Sequence, residues 1–429
     1  MGIGNNPILS DLSVEMQDFD IVKVNDYHKS FWKNSEGGSV DNRPLIHGGM
    51  VIFGSMNHNL YALDIRTGKE VWKFRTEDRI GLSSPILYKD SVIIGSYDFN
   101  VYSVDAKTGK MIWKFPTRGE LASSGGISEG VYYFTGRDQN LYAIDCENGS
   151  LVWKFKTFES NVSVPTFHKE FVLFGSSDRN LYCLNKKTGK LVWKYETEEE
   201  IVNVTPFVVY NDIVFFGTLG NYLHAVDVNN GTRIFRFPTG IYGITRGQIL
   251  LRGMLIQPTN DGFLYAFTPE GKIVWKFQKR EALGAVASDG ERIYVGCEDY
   301  NLYSINSDGK ELWKFPARAP IWQPSTIFKG VVYFGSYDCN FYAIDAMNGT
   351  LIWKFRCPGD ISVYPSIKGH FEARMRIEEK EIEEFMETRY DLNLFKENGE
   401  EGKFYKSRVT YQISTQYRQK GKYQTDSDD

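Results

Sequence analysis

Between residues 50 and 360 the apolar residues come in short runs broken by polar, glycine-bearing turns. None of these runs has the 3.6-residue spacing of a helix. The stretch from Trp72 to Trp113 shows the unit. A small-residue run closed by Pro85 is followed by Val92-Ile93-Ile94-Gly95-Ser96, then the turn Tyr97-Asp98-Phe99-Asn100. Val101-Tyr102-Ser103-Val104-Asp105 is a further β run, Lys107-Thr108-Gly109-Lys110 a second turn, and Met111-Ile112-Trp113-Lys114-Phe115 a last strand. Four strands of about five residues with turn chemistry between them predict all-β structure.

The unit recurs. Ala62–Trp72 reads Ala-Leu-Asp-Ile-Arg-Thr-Gly-Lys-Glu-Val-Trp, and the same frame closes on aromatic residues at 72, 113, 153, 193, 235, 275, 313 and 353. Steps of 41, 40, 40, 42, 40, 38 and 40 residues mark a repeat architecture, and four strands per repeat match a propeller blade. The turn residues have physical reasons. The glycine of Thr-Gly-Lys supplies the positive φ that a tight hairpin demands. Asp64, Asp105, Asp145, Asp227 and Asp345 are placed to accept turn amides. Each closing Trp is an apolar plate of roughly 150–250 Å², worth on the order of 4–6 kcal/mol gross when buried. One plate per blade predicts contact between neighbouring blades, with the small residue ten positions earlier (Ala62, Ser103, Ala143, Ala343) leaving room for a neighbour's ring.

The frame Ala-x-Asp-x-x-Thr-Gly-Lys-x-x-Trp resembles the tryptophan-docking motif of PQQ-like (pyrroloquinoline-quinone-type) β-propeller repeats. Such repeats occur in quinoprotein dehydrogenases and in the propeller lipoprotein of the outer-membrane barrel-assembly machine. The resemblance covers roughly residues 38–367. The units lack the Trp-Asp dipeptide and Gly-His pair of WD40 blades. It implies that Trp72, Trp113, Trp153, Trp193, Trp275, Trp313 and Trp353 stack between blades, with Phe235 a weaker substitute. The expected fold is an eight-bladed β-propeller of four-stranded blades with a small C-terminal α+β appendage. The expected divisions are an N-terminal extension over 1–37, the propeller over 38–368, a β-α-β-β appendage over 369–420 and a disordered acidic tail over 421–429. Phe31-Trp32-Lys33 reads as a stray outer strand, and Ile361–Lys368 as another inner strand. Eight blades with appended strands is preferred to a degenerate ninth blade. The aromatic-faced strand around Tyr405–Tyr417 is expected to pack on its own propeller, with dimerisation or capture of another protein as the sharper alternative.

Composition narrows the function. Fifty Lys and Arg against 54 Asp and Glu give a net charge of −4, which leaves no basic field for nucleic acid. No run of 18 apolar residues predicts a membrane span. The N-terminal residues have no secretory-signal pattern, and no cysteine precedes Cys146 to carry a lipid, so a cytoplasmic location is expected. The five cysteines, Cys146, Cys183, Cys297, Cys339 and Cys357, are scattered and expected to be reduced and mostly buried. Asn-Gly-Ser/Thr at 148, 230 and 348 is read as turn chemistry rather than glycosylation.

The chemistry of the family's dehydrogenases does not transfer. They carry an adjacent Cys-Cys pair over the quinone and an acidic calcium site with a catalytic Asp. The nearest cysteines here, Cys339 and Cys357, are 18 positions apart, and no stretch matches the catalytic Asp motif. The six histidines form no zinc spacing. No catalytic residue, metal or cofactor is therefore expected. What remains is one face of the ring. The links between blades carry Arg79, Arg118, Arg280 and Arg318, with Arg246 and Trp322 expected on inner strands near the channel. The turns after the Gly-Ser runs carry Asp98, Asp138, Asp178, Asp299 and Asp338. The bland reading is turn-capping Asp paired with Arg. The sharper one is a set of Arg clamps and a Trp platform for an acidic peptide or anionic ligand. The functional expectation is a non-catalytic intracellular scaffold that recognises a protein on its loop face or appendage. The alternative is a small-molecule-binding or degenerate quinoprotein propeller.

Overall fold

The computed structural model describes residues 38–358 apart from 221 and 240–242. The expectations for the N-terminal extension, the appendage, the extra strands and the tail lie outside the described residues.

The described chain forms eight four-stranded antiparallel sheets, each wound from its inner to its outer strand in sequence order. Their strands cover 45–75, 86–116, 126–156, 166–196, 208–238, 249–278, 283–316 and 326–356, hereafter blades 1 to 8. In blade 1 the strands are Leu45–His47, Met50–Gly54, Asn59–Asp64 and Glu70–Arg75. The second and third strands are buried on both faces, because each blade is sandwiched between two others. This is why they read as unbroken apolar runs rather than alternating ones. Each seam between blades holds one apolar cluster. The seam between blades 8 and 1 has its own, built from Val40, Val51, Phe53, Tyr61, Tyr333 and Phe341 among others. Phe53 and Phe341 stack across it with centroids 4.0 Å apart.

The closing aromatics dock as the repeat predicts, but on a surface that the repeat alone did not reveal. Each Trp ring lies on the positive-φ glycine of the next blade's hairpin. A Cβ placed on Gly109 would lie 2.6 Å from Trp72 Cε3, and the contact recurs at 2.6–2.8 Å from Gly149 on Trp113 onward to Gly68 on Trp353. The small residue at Ala62 is instead the cross-strand partner of its own blade's Trp72. Each indole N–H also donates to a carbonyl in the neighbouring hairpin: Trp72 to Ala106, Trp113 to Cys146, Trp153 to Lys186, Trp193 to Val228, Trp275 to Ser307, Trp313 to Ala346 and Trp353 to Ile65, at 2.8–3.2 Å. The last bond joins blade 8 to blade 1 and closes the ring. Phe235 lies on Gly271 without an N–H to donate.

Among the described residues the eight outer strands have no partner on their far side, a hazard for pairing with other chains. The residue after each docking aromatic is basic: Lys73, Lys114, Lys154, Lys194, Arg236, Lys276, Lys314 and Lys354. A charge in the middle of an edge strand disfavours another strand laying itself there. It also explains the repeated Trp-Lys-Phe triplet.

Candidate recognition site at the inner links

Two kinds of segment meet at one end of the ring, the links that enter each blade and the turn between each blade's second and third strands. One amide bond ties them in every blade. Met56 N donates to Ser39 O, Tyr97 N to Arg79 O, Arg137 N to Glu120 O and Tyr337 N to Pro320 O, and the other four blades repeat the pattern. In blades 2, 3, 4, 7 and 8 the turn is an Asp-x-Asn-x-Tyr motif. Asp138 Oδ1 accepts Asn140 N at 3.3 Å, and its Oδ2 accepts Tyr142 OH at 2.6 Å and Arg118 N at 3.0 Å. Asp338 does the same with Tyr342 OH at 2.6 Å and Arg318 N at 3.0 Å, and Asp98 and Asp178 repeat the arrangement. Burial, with the carboxylate beside them, pushes the Tyr142 and Tyr342 phenols well above the ordinary range.

This geometry corrects the expected pairing of charges. The turn aspartates take the backbone amides of Arg118 and Arg318, and those two side chains are exposed, as is Arg280. Arg79 is half-buried, with its Nε 3.3 Å from Asp78 and its guanidinium 5.5 Å from the Tyr97 ring centroid. The six candidates therefore do not converge as a set of clamps.

Two of them do meet. The Arg246 guanidinium lies 4.7 Å from the Trp322 ring centroid. Both residues sit in links, ahead of the inner strands Ile249–Leu251 and Thr326–Phe328, rather than on those strands as expected. The contact joins the link entering blade 6 to the link entering blade 8. The sequence reading missed their neighbour Asp41, in the link entering blade 1. Asp41 is buried, and its Oδ2 accepts the Tyr337 hydroxyl. Burial pushes its carboxyl up from the usual range, against the pull of the Arg246 charge and the Tyr337 hydrogen bond. Glu298, in the turn of blade 7, is raised by burial and by Glu281, with Arg246 again opposing. One cation thus faces two reluctant carboxyls and an indole. Gln323 also faces the Asp41 carboxylate and helps oppose its rise, whereas Arg246 Nε is buried without a hydrogen-bond partner among the described residues. Such a group destabilises by about 1–3 kcal/mol until something satisfies it.

A second group holds Glu281, Cys297 and Asp299 with one ligand-type atom from each within 4.8 Å. Its chemistry is poor for a metal. The Cys297 thiol donates to the Glu281 carbonyl oxygen at 3.7 Å. Asp299 is also engaged by Tyr303 OH at 2.5 Å and Asn301 N at 3.0 Å.

The family model described as outer membrane protein assembly factor BamB matches residues 21–120, 97–238 and 260–365. No curated protein matches the sequence. Among solved structures the chain is similar to BamB from Moraxella catarrhalis, at 18% identity over 71% of this chain and 91% of that one, with a TM-score of 0.58. It is also similar to the quinohemoprotein alcohol dehydrogenase of Comamonas testosteroni, at 15% identity over 74% of each chain, with a TM-score of 0.60. The computationally designed protein Ika8 matches at 15% identity over 70% of this chain and 95% of that one, with a TM-score of 0.62. Likeness at this identity speaks to the fold alone.

Proposed function

Because the chain belongs to the PQQ-like repeat family whose model is described as outer membrane protein assembly factor BamB, we propose that it is a non-catalytic intracellular recognition module whose link-and-turn face holds a partner protein. The observation that carries the reading is the convergence of Arg246 and Trp322 beside Asp41 at that face. Arg and Trp are the residue types that most often dominate binding energy when a partner covers them. Arg246 Nε is a buried donor without a partner among the described residues, and a carboxylate on the partner protein would accept from it. A rigid ring stapled at every turn favours the same reading, because it presents such a patch at low entropic cost.

The test is affinity capture from the native host with four baits: the unaltered protein, Arg246→Ala, Trp322→Ala and, as a control on the same face, Arg280→Ala. A protein retained by the unaltered chain and by Arg280→Ala but lost by the other two, and binding again when purified, supports the proposal. An identical set of captured proteins on all four baits refutes it. The alternative, a small-molecule-binding or degenerate quinoprotein propeller, is read from the same preparation. An absorbing, calcium-dependent cofactor carried through purification would favour it.

A further inference from the structure

The rung of the ladder beyond each outer strand is chemically uniform in four blades. Thr76, Thr117, Thr157 and Thr197 each face the left-handed turn residue of their own blade: His58, Phe99, Gln139 and Arg179. Both the amide and the hydroxyl of each threonine donate to that residue's carbonyl, at 2.7–3.0 Å. The side chain at this position therefore leans onto the turn residue. In blade 8 the rung is made of two cysteines. Cys357 N donates to Cys339 O at 2.9 Å, and Cys339 has the same left-handed φ of 64°. The register of the outer pair, Phe341 with Phe355 and Asn340 with Arg356, runs on to Cys339 opposite Cys357.

We propose that Cys339 and Cys357 are a redox-dependent disulfide site, open where the cell interior keeps thiols reduced and closed under oxidising conditions, that clasps the last blade. The 2.9 Å backbone bond holds the two residues side by side and the thiols lie near enough to act on each other electrostatically; a disulfide needs Cα atoms within roughly 4.4–6.8 Å. Both thiols are buried and neither is in a disulfide here. The other cysteines lie in blades 3, 4 and 7. The location gives the bond a consequence. The first link packs on this rung so closely that a Cβ on Gly38 would sit 2.6 Å from Cys357 Cβ. Val40 N donates to Ser336 O at 3.3 Å and Asn57 Nδ2 to Pro358 O at 3.0 Å. The two ends of the ring meet there without covalent continuity, and a bond between Cys339 and Cys357 would fix the end of blade 8 against its own turn.

Oxidised glutathione supplies the chemistry. One cysteine thiolate attacks its S–S bond and releases one glutathione thiol. The second cysteine, as thiolate, then attacks the mixed disulfide and releases the other. Two cysteine thiols are oxidised, two glutathione thiols are formed, and the protons balance. Both thiols are buried in the closed ring, out of reach of glutathione, so the bond forms while the ring is closing.

The experiment refolds the full chain in a glutathione redox buffer and, separately, in reductant. Native folding is confirmed by circular dichroism, and the thiols are alkylated in denaturant for peptide mass analysis. The expected oxidised product keeps three alkylated cysteines of the five, shows a linked Cys339–Cys357 peptide two hydrogens lighter, and unfolds at higher urea than the reduced form. Cys339→Ser and Cys357→Ser each abolish both the link and the shift. Natively folded oxidised protein with all five cysteines alkylated, or with a different linked pair, overturns the proposal.

Discussion

Substituting Gly109 by Ala isolates what a docking ring contributes. Gly109 has φ +68°, and an added Cβ would lie 2.6 Å from Trp72 Cε3 and 2.8 Å from Cδ2. Two penalties add. Left-handed backbone in a residue with a Cβ costs about 1–2 kcal/mol. Forcing the Trp72 ring off its seat is overpacking, worth about 1–3 kcal/mol. The lower chain entropy of unfolded Ala offsets roughly 0.4–1 kcal/mol. The net expectation is a loss of about 1–4.5 kcal/mol. Gly253→Ala is the internal control, because Gly253 has φ +77° with nothing within 4 Å of its added Cβ. It keeps the backbone penalty without the clash, so a net loss of about 1 kcal/mol or less is expected. Urea unfolding followed by tryptophan fluorescence reads both variants. A double-mutant cycle with Trp72→Leu should show strong coupling at Gly109 and additivity at Gly253. If Gly109→Ala is no worse than Gly253→Ala, the ring does not seat on the glycine and the account of blade docking fails.

Other consequences follow from single positions. Trp72→Phe removes the N–H donated to Ala106 O and shrinks the buried plate, and is expected to lower stability by about 1–3 kcal/mol in the same assay. Phe235→Trp runs the other way: the short hairpin under Gly271 places Pro269 where Ser307 receives Trp275, so a gain of roughly 0.5–1.5 kcal/mol is expected. Asp138→Ala removes the acceptor for Tyr142 OH and Arg118 N, and should cost about 2–4 kcal/mol where Asp90→Ala does not. His224 stands where the other blades place a tyrosine, and burial, then Arg236 and Arg233, hold its imidazole down to about 3. Its folded value is below the unfolded value of about 6.5. Stability should therefore be full above about pH 6.5 and fall by about 3 kcal/mol by pH 4, a loss that His224→Phe removes from urea titrations at the two pH values.

The parts legible in the sequence were those encoded within one hairpin. The turn aspartate, the left-handed glycine and the Trp sit within a dozen residues of each other, and their period alone fixed the strands and the seams. The glycine's second task, seating the ring, was hidden because its partner Trp lies almost a full repeat away. The site was harder for the same reason. The period located the links, and so named Arg79, Arg118, Arg280 and Arg318, but it does not say where a link side chain points. Three of these turned outward. Asp41 and Tyr337 were missed because each is ordinary within its own repeat. They become a pair only when blade 8 closes on blade 1. The recurrence of Gly-Ser-Tyr-Asp at 95–98 and 335–338 was the available signal.

The departures from the repeat carry their own argument. Blade 5 lacks the turn aspartate and its tyrosine together, with Gly220 and His224 in their places, as expected if each is retained for the other's hydrogen bond. Its docking residue is Phe235, and the blade it meets has the buried Gln257 and Pro258 where the others have an apolar residue followed by glycine, or by Thr135 in blade 3. Gln257 Nε2 donates to Arg246 O at 3.1 Å, so one of these departures holds the link that carries the candidate cation. Breaks in local consistency tend to collect where function is built. The arc around blades 5 and 6 gives up a docking N–H and an apolar core position, and it is this arc that places Arg246 against Trp322. If Gln257→Leu restores the apolar pattern and stabilises the ring while partner capture is lost with it, the departures serve recognition. If capture persists, they are drift and Arg246 is held by other contacts.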